Sequence, residues 1–119
     1  MTRTMLSVNI DRDDPVLLHD QVAAEIRRAI AEGEAGPGDR LPLAKDLAAI
    51  LGVNKNTVLR AMHRLRDEGL VEFTRGRGIT VTGTRELSTV LHKALEFVEF
   101  ARRQGYRRDE VIEMIAKLP

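Results

Sequence analysis

Two apolar helical stripes separated by only four residues constrain this chain more than any other feature. Leu43, Leu47 and Ile50 recur at helical spacing, and after Leu51-Gly52-Val53-Asn54 a second stripe follows at Val58, Ala61, Met62 and Leu65. Gly52 suits the left-handed cap that ends one helix, and Asn54 suits the cap that begins the next. So short a connection makes the helices, expected over residues 43–51 and from Asn54 to about residue 68, cross steeply as a helix-turn-helix. Beyond the cap at Gly69 the periodicity changes to two. Leu70-Val71-Glu72-Phe73 and Ile79-Thr80-Val81 flank Arg75-Gly76-Arg77-Gly78, which predicts a β-hairpin with glycines at its tip.

The flanks fit around this unit. Asp14-Pro15 reads as a helix start, and Leu18, Val22, Ile26 and Ile30, with Ala23 and Ala29 beside them, predict a helix to about residue 32. Gly33, Gly36, Pro37 and Gly38 end it. Alternation of Leu6, Val8 and Ile10 gives a short-strand signal over residues 5–10. After Gly83 a fourth helix is expected over residues 86–104 and a fifth over 109–118, carrying Val111, Ile112, Ile115 and Leu118. The expected fold is mainly α with a small β-hairpin: a winged helix-turn-helix domain over residues 1–83, followed by a two-helix C-terminal tail over 84–119. A chain of 119 residues has no room for a further full-size ligand-binding domain, and the short tail cannot enclose a typical metabolite pocket.

Composition removes several function classes. Without cysteine there is no disulfide, thiolate metal site or cysteine nucleophile. His19, His63 and His92 fall on three different expected helices without companion acids, so no metal, cofactor or catalytic residue is expected. Aromatic residues, at 3%, are too sparse for a reader that stacks bases. Gly76-Arg77-Gly78 opens no helix and lacks the Lys-Ser/Thr pair of a phosphate loop. With no apolar run approaching the roughly 18 residues of a membrane span, a cytoplasmic protein without membrane contact is expected. Net charge is only +1 but unevenly spread. Residues 40–82 hold eight bases and four acids, whereas residues 1–39 hold four bases and eight acids, so one face is a candidate for phosphate.

The third helix is then the recognition helix. Opposite its core stripe stand Asn56, Arg60 and His63, and Asn54-Lys55-Asn56-Thr57 at its start supplies amide, ammonium and hydroxyl groups for base edges and phosphates. Asn54 has an equal claim as a simple cap. Arg75 and Arg77, alternating with glycines, can approach a DNA groove without steric barrier.

Beyond these readings, the string Pro37-Gly38-Asp39-Arg40-Leu41-Pro42, then Leu47-Ala48, Leu51-Gly52-Val53-Asn54, Thr57-Val58, Glu68-Gly69-Leu70-Val71 and Arg75-Gly76-Arg77-Gly78 resembles the GntR family over residues 16–81. The short tail and Asn54-Lys55-Asn56-Thr57 resemble its YtrA-like subgroup. The resemblance implies a winged-helix transcription regulator that binds an inverted-repeat operator in double-stranded DNA as a homodimer. By position it implies DNA contacts from Lys45, Asn54, Lys55, Asn56 and Thr57, with Arg75 and Gly76 in the wing. Two positions depart from the family pattern. Leu43 stands where serine is usual and Leu59 where arginine is usual, with Arg60 about 100° further round the helix.

In the fourth helix Leu87, Val90, Leu91, Ala94, Leu95, Phe97, Val98, Phe100 and Ala101 wrap too far round for one contact, so part of this surface, with Leu87, Val90, Leu91, Ala94, Phe97, Val98 and Ala101 as the candidates, is expected to meet a second copy. The expected function is a repressor acting at an operator, with no effector assigned. The alternative is a winged-helix protein-interaction module without DNA binding, which would have no need of the clustered bases.

Overall fold

In the computed structural model, which describes residues 18–76 and 78–119, α1 (Leu18–Ala31) buries Val22, Ala23, Ile26, Ala29 and Ile30. These are the expected stripe except for Leu18, which is half-buried at the start of the helix. The helix start at Asp14-Pro15, the strand over residues 5–10 and the side chain of Arg77 lie outside the described residues. The third helix, α3 (Lys55–Asp67), buries Val58, Ala61, Met62 and Leu65 against α1, again as the spacing requires.

Between them, α2 (Ala44–Leu51) corrects the sequence reading at two positions. Only Leu47 and Ala48 are buried, with Ala44 and Leu51 packed beside them, whereas Leu43 is 51% and Ile50 56% exposed. Ile50 stands about 110° from the centre of the packed side. Leu43 precedes the helix in extended conformation, so its side chain leaves the bundle. Gly52 caps α2 at φ +69°, a left-handed conformation that a Cβ disfavours. Val53 N–H then donates to Ala48 O at 3.0 Å, which closes the turn.

The hairpin pairs β1 (Val71–Thr74) with β2 (Gly78–Val81), Val71 opposite Val81 and Phe73 opposite Ile79. Leu70, expected within the first strand, precedes it and is fully buried. A further pairing has no signature in the sequence. The segment before α2 lies along the other side of β2, where Arg40 bridges Thr80. There Leu41 N–H donates to Ile79 O at 2.9 Å and Val81 N–H to Asp39 O at 2.8 Å. Gly83 passes so close to Leu70 that a Cβ there would lie 2.9 Å from the Leu70 Cα.

The chain then enters α4 (Arg85–Arg103), where the Thr84 hydroxyl oxygen accepts from Leu87 N–H at 3.1 Å. A turn at Gly105 leads to α5 (Arg108–Lys117), which buries Val111. The first half of α4 lies along α1, and their junction is polar. Ser88 Oγ, fully buried, donates to the Arg27 carbonyl at 2.6 Å. The Arg27 side chain, 4% exposed, forms a two-pronged ion pair with Glu68 at the end of α3, Nε to Oε1 at 2.6 Å and Nη2 to Oε2 at 2.8 Å. Beside it Arg28 pairs with Glu25, Glu32 and Glu34. Its hydrogen bonds to Glu25 and Glu34 hold the guanidinium well above its usual pKa range.

Breaking the Arg27–Glu68 pair from one side should leave a largely buried carboxylate uncompensated. Urea unfolding of Arg27→Met is expected to show a loss near the lower end of about 3 to 5 kcal/mol, since Glu68 keeps 16% of its exposure. Adding Glu68→Leu should recover most of that loss. A double variant no more stable than the single one would show that the partner charge is not the source.

Candidate nucleic-acid interface

The start of α3 is built by Asn54. Its extended backbone turns the carboxamide back over the first turn, where Oδ1 accepts from Asn56 N–H at 2.7 Å. The cap expected of Asn54 is therefore present, and its side-chain amide group faces outward from an exposed position. Lys55 and Asn56 are exposed on the first turn of α3 and Arg60 on the next, while Thr57 is half-buried. No acid occupies the first turn, and the helix dipole adds positive partial charge there.

Four of the expected contact residues meet around one groove. Lys45 from the start of α2, Lys55 from α3, and Arg75 and Gly76 from the hairpin tip rim a cleft whose floor is formed by Leu43, Leu59, Phe73, Thr74 and Ile79. Asn56 and Arg60 do not line it and sit on the outer face of α3. Arg77 lies outside the described residues. His63, expected to face the major groove, turns instead to the wing, where its ring meets Phe73 edge-on at 5.0 Å. Arg66 lies over the same ring at 5.3 Å. The hairpin thus rests on the flank of α3, and the rim cations are held at defined places relative to the helix. The apolar floor has only a weak signal in the sequence. Alternation at Phe73 and Ile79 marks them as strand residues with one inward face, but it does not say which element they cover.

The tail residues divide into two sets. Val90 is 65% exposed, and Leu87, Ala94 and Phe97 are also exposed, so that positions 87, 90, 94 and 97 form one stripe along α4. Leu91 packs against the core, Val98 is half-buried and Ala101 is buried within the protomer. Phe100, Ile112, Ile115 and Leu118 add further exposed apolar surface. Among the described residues no group of three or more His, Asp or Glu side chains is placed to hold a metal. None of their helices is long and apolar enough to cross a membrane.

Comparison with known proteins places this geometry. The family model described as "Bacterial regulatory proteins, gntR family" matches residues 18–81. The HTH-type transcriptional repressor YtrA of Bacillus subtilis is 31% identical over 83 residues, covering 70% of this chain and 64% of that protein. The HTH-type transcriptional regulator Rv1152 of Mycobacterium tuberculosis is 33% identical over 119 residues, covering 98% of this chain and 96% of that one. Among solved structures, YtrA from Sulfolobus acidocaldarius superposes with a TM-score of 0.60 at 33% identity, covering 78% of this chain and 99% of that one. The DNA-binding domain of AraR in complex with operator ORR3 gives 0.52 at 30% identity, covering 54% and 77%. These relatives are named as transcription regulators, not enzymes.

Two measurements check the surface. Lys55→Ala and Arg60→Ala should each weaken specific DNA binding by about 1 to 3 kcal/mol without changing the circular dichroism spectrum; isotherms that overlay the parent for both variants would remove α3 from the interface. Arg75→Ala should reduce the slope of log K against log salt by about 0.9 for each phosphate that its guanidinium neutralises. An unchanged slope would make Arg75 an ordinary turn residue.

Proposed function

This chain belongs to the gntR family of bacterial regulatory proteins, winged helix-turn-helix transcription regulators that bind DNA, and from that premise we propose that it represses transcription by binding an inverted-repeat operator as a homodimer. The observation that carries the reading is the meeting of Lys45, Lys55 and Arg75 around one groove beside the exposed face of α3. A protein-interaction module would have no use for cations so arranged. In this reading Asn54, Lys55, Asn56, Thr57 and Arg60 enter the major groove. Lys45, Arg75, Gly76 and Arg77 hold the flanking backbone.

Dimerisation is assigned to the tail over residues 84–119, acting on a DNA-binding unit over 1–83. Leu87, Val90, Ala94 and Phe97 form the seam, with Leu91, Val98 and Ala101 supporting it from the inner side of α4. Exposed Val90 and Phe97, on a helix already packed on α1, leave an apolar stripe that a second copy covers. Two linked copies make the second half-site contact intramolecular, which raises affinity while the DNA-facing residues stay the same. Repression is supported by the B. subtilis relative, which is a transcriptional repressor by name, and by the bulk of a dimer seated on promoter DNA. A cytoplasmic location follows from that role.

Val90→Asp with Phe97→Asp tests the dimer, because both side chains are exposed and touch no DNA-facing residue. Light scattering is expected to give a monomer, with folding retained and operator affinity lower by roughly 10² to 10⁴. A variant that stays dimeric would move the interface elsewhere.

A further inference from the structure

We propose that Leu59, with Leu43 and Phe73 beside it, is a specificity-determining residue that reads the C5-methyl group of a thymine in the operator. The inference rests on the operator reading above and adds the base that this groove selects. Leu59 lies one turn beyond Lys55 on the wing side of α3 and is half-buried in the groove floor. Leu43 closes one side, its Cδ2 only 3.3 Å from where a Cβ on Gly78 would sit, and Phe73 closes another beneath Arg66.

Two properties of the groove identify its occupant. The rim carries Lys45, Lys55 and Arg75 and no acid, so it matches the negative potential of DNA. Around Leu59 the floor is apolar, formed by Leu43, Phe73 and Ile79, and the Thr74 hydroxyl is the one neutral hydrogen-bonding side chain in the lining. A guanine or cytosine edge pressed against Leu59 would lose water from its polar atoms without gaining a partner. Of the four major-groove edges, thymine alone presents an apolar group for such a floor. Leu43 in extended conformation before α2 widens the apolar surface to both sides of the first turn of α3, a use for its outward position that core packing does not supply.

The test begins with selection of a random duplex library on the full-length wild-type protein. In the enriched site each thymine is then replaced singly by deoxyuridine, which removes the methyl and keeps the base pairing. Wild-type protein is expected to bind about fourfold more weakly at one thymine in each half-site, the effect of one methyl left unburied. Leu59→Ala should bind the thymine and uracil duplexes equally well at that position. If the selected site binds tightly and no uracil substitution weakens it, the thymine readout is overturned while the operator reading stands. The same uracil penalty in Leu59→Ala would assign the methyl to another residue and overturn the role of Leu59. No enrichment of any duplex would overturn the operator reading and this inference together.

Discussion

Arg27 holds three helices together through one residue. Its guanidinium meets Glu68 just past the end of α3, and its carbonyl receives the hydroxyl of Ser88 near the start of α4. A guanidinium removed from water is tolerable only where both prongs find acceptors, so the geometry is narrow. The apolar stripe Val58–Leu65 fixes how closely α3 approaches α1; the ion pair fixes how far it slides along it. Since α4 hangs from the same residue, the exposed stripe at Val90 and Phe97 and the outward face at Asn56 and Arg60 are positioned through one common helix, α1. A rigid path between them is what a two-fold DNA reader requires.

At the interface, charge and apolar surface are separated in space. Cations stand on the rim, where they keep their water, and in the proposed reading they would exchange it for phosphate on DNA. Leucines and Phe73 occupy the floor, where the base edges would come. In the proposed reading the rim would supply attraction that is indifferent to sequence, and the floor together with Asn56 and Arg60 would supply discrimination. Phe73 serves both layers, because His63 and Arg66 pack on its ring and fix the wing against α3.

Local chemistry made much of this legible in the sequence. Gly52 and Asn54 announce the turn because each supplies a conformation or acceptor that few residues can. The α3 stripe survives because Val58, Ala61, Met62 and Leu65 all face one continuous core. The reading failed where one face had to be chosen among several apolar residues: Leu43 and Ile50 satisfy helical spacing, yet eight residues of α2 present only one side to the core. Non-local pairings left no trace. Arg27 and Glu68 are 41 positions apart, and the segment at Arg40 shows no alternation that would predict its bridge to Thr80. At the site, Lys45, Lys55 and Arg75 are nameable singly, but their convergence depends on how the wing leans on α3, which is set by Phe73.

The bridge between Arg40 and Thr80 bears on how the protein survives crowding. It gives β2 a neighbour on each side, so the hairpin offers a single open edge among the described strands, that of β1. That edge is four residues long and carries the exposed charge of Glu72. A strand from another molecule finds too few free amides there, and an acid among them, to extend the sheet. The bridge that covers one side of β2 thus keeps a small exposed sheet from seeding fibrous association at high protein concentration.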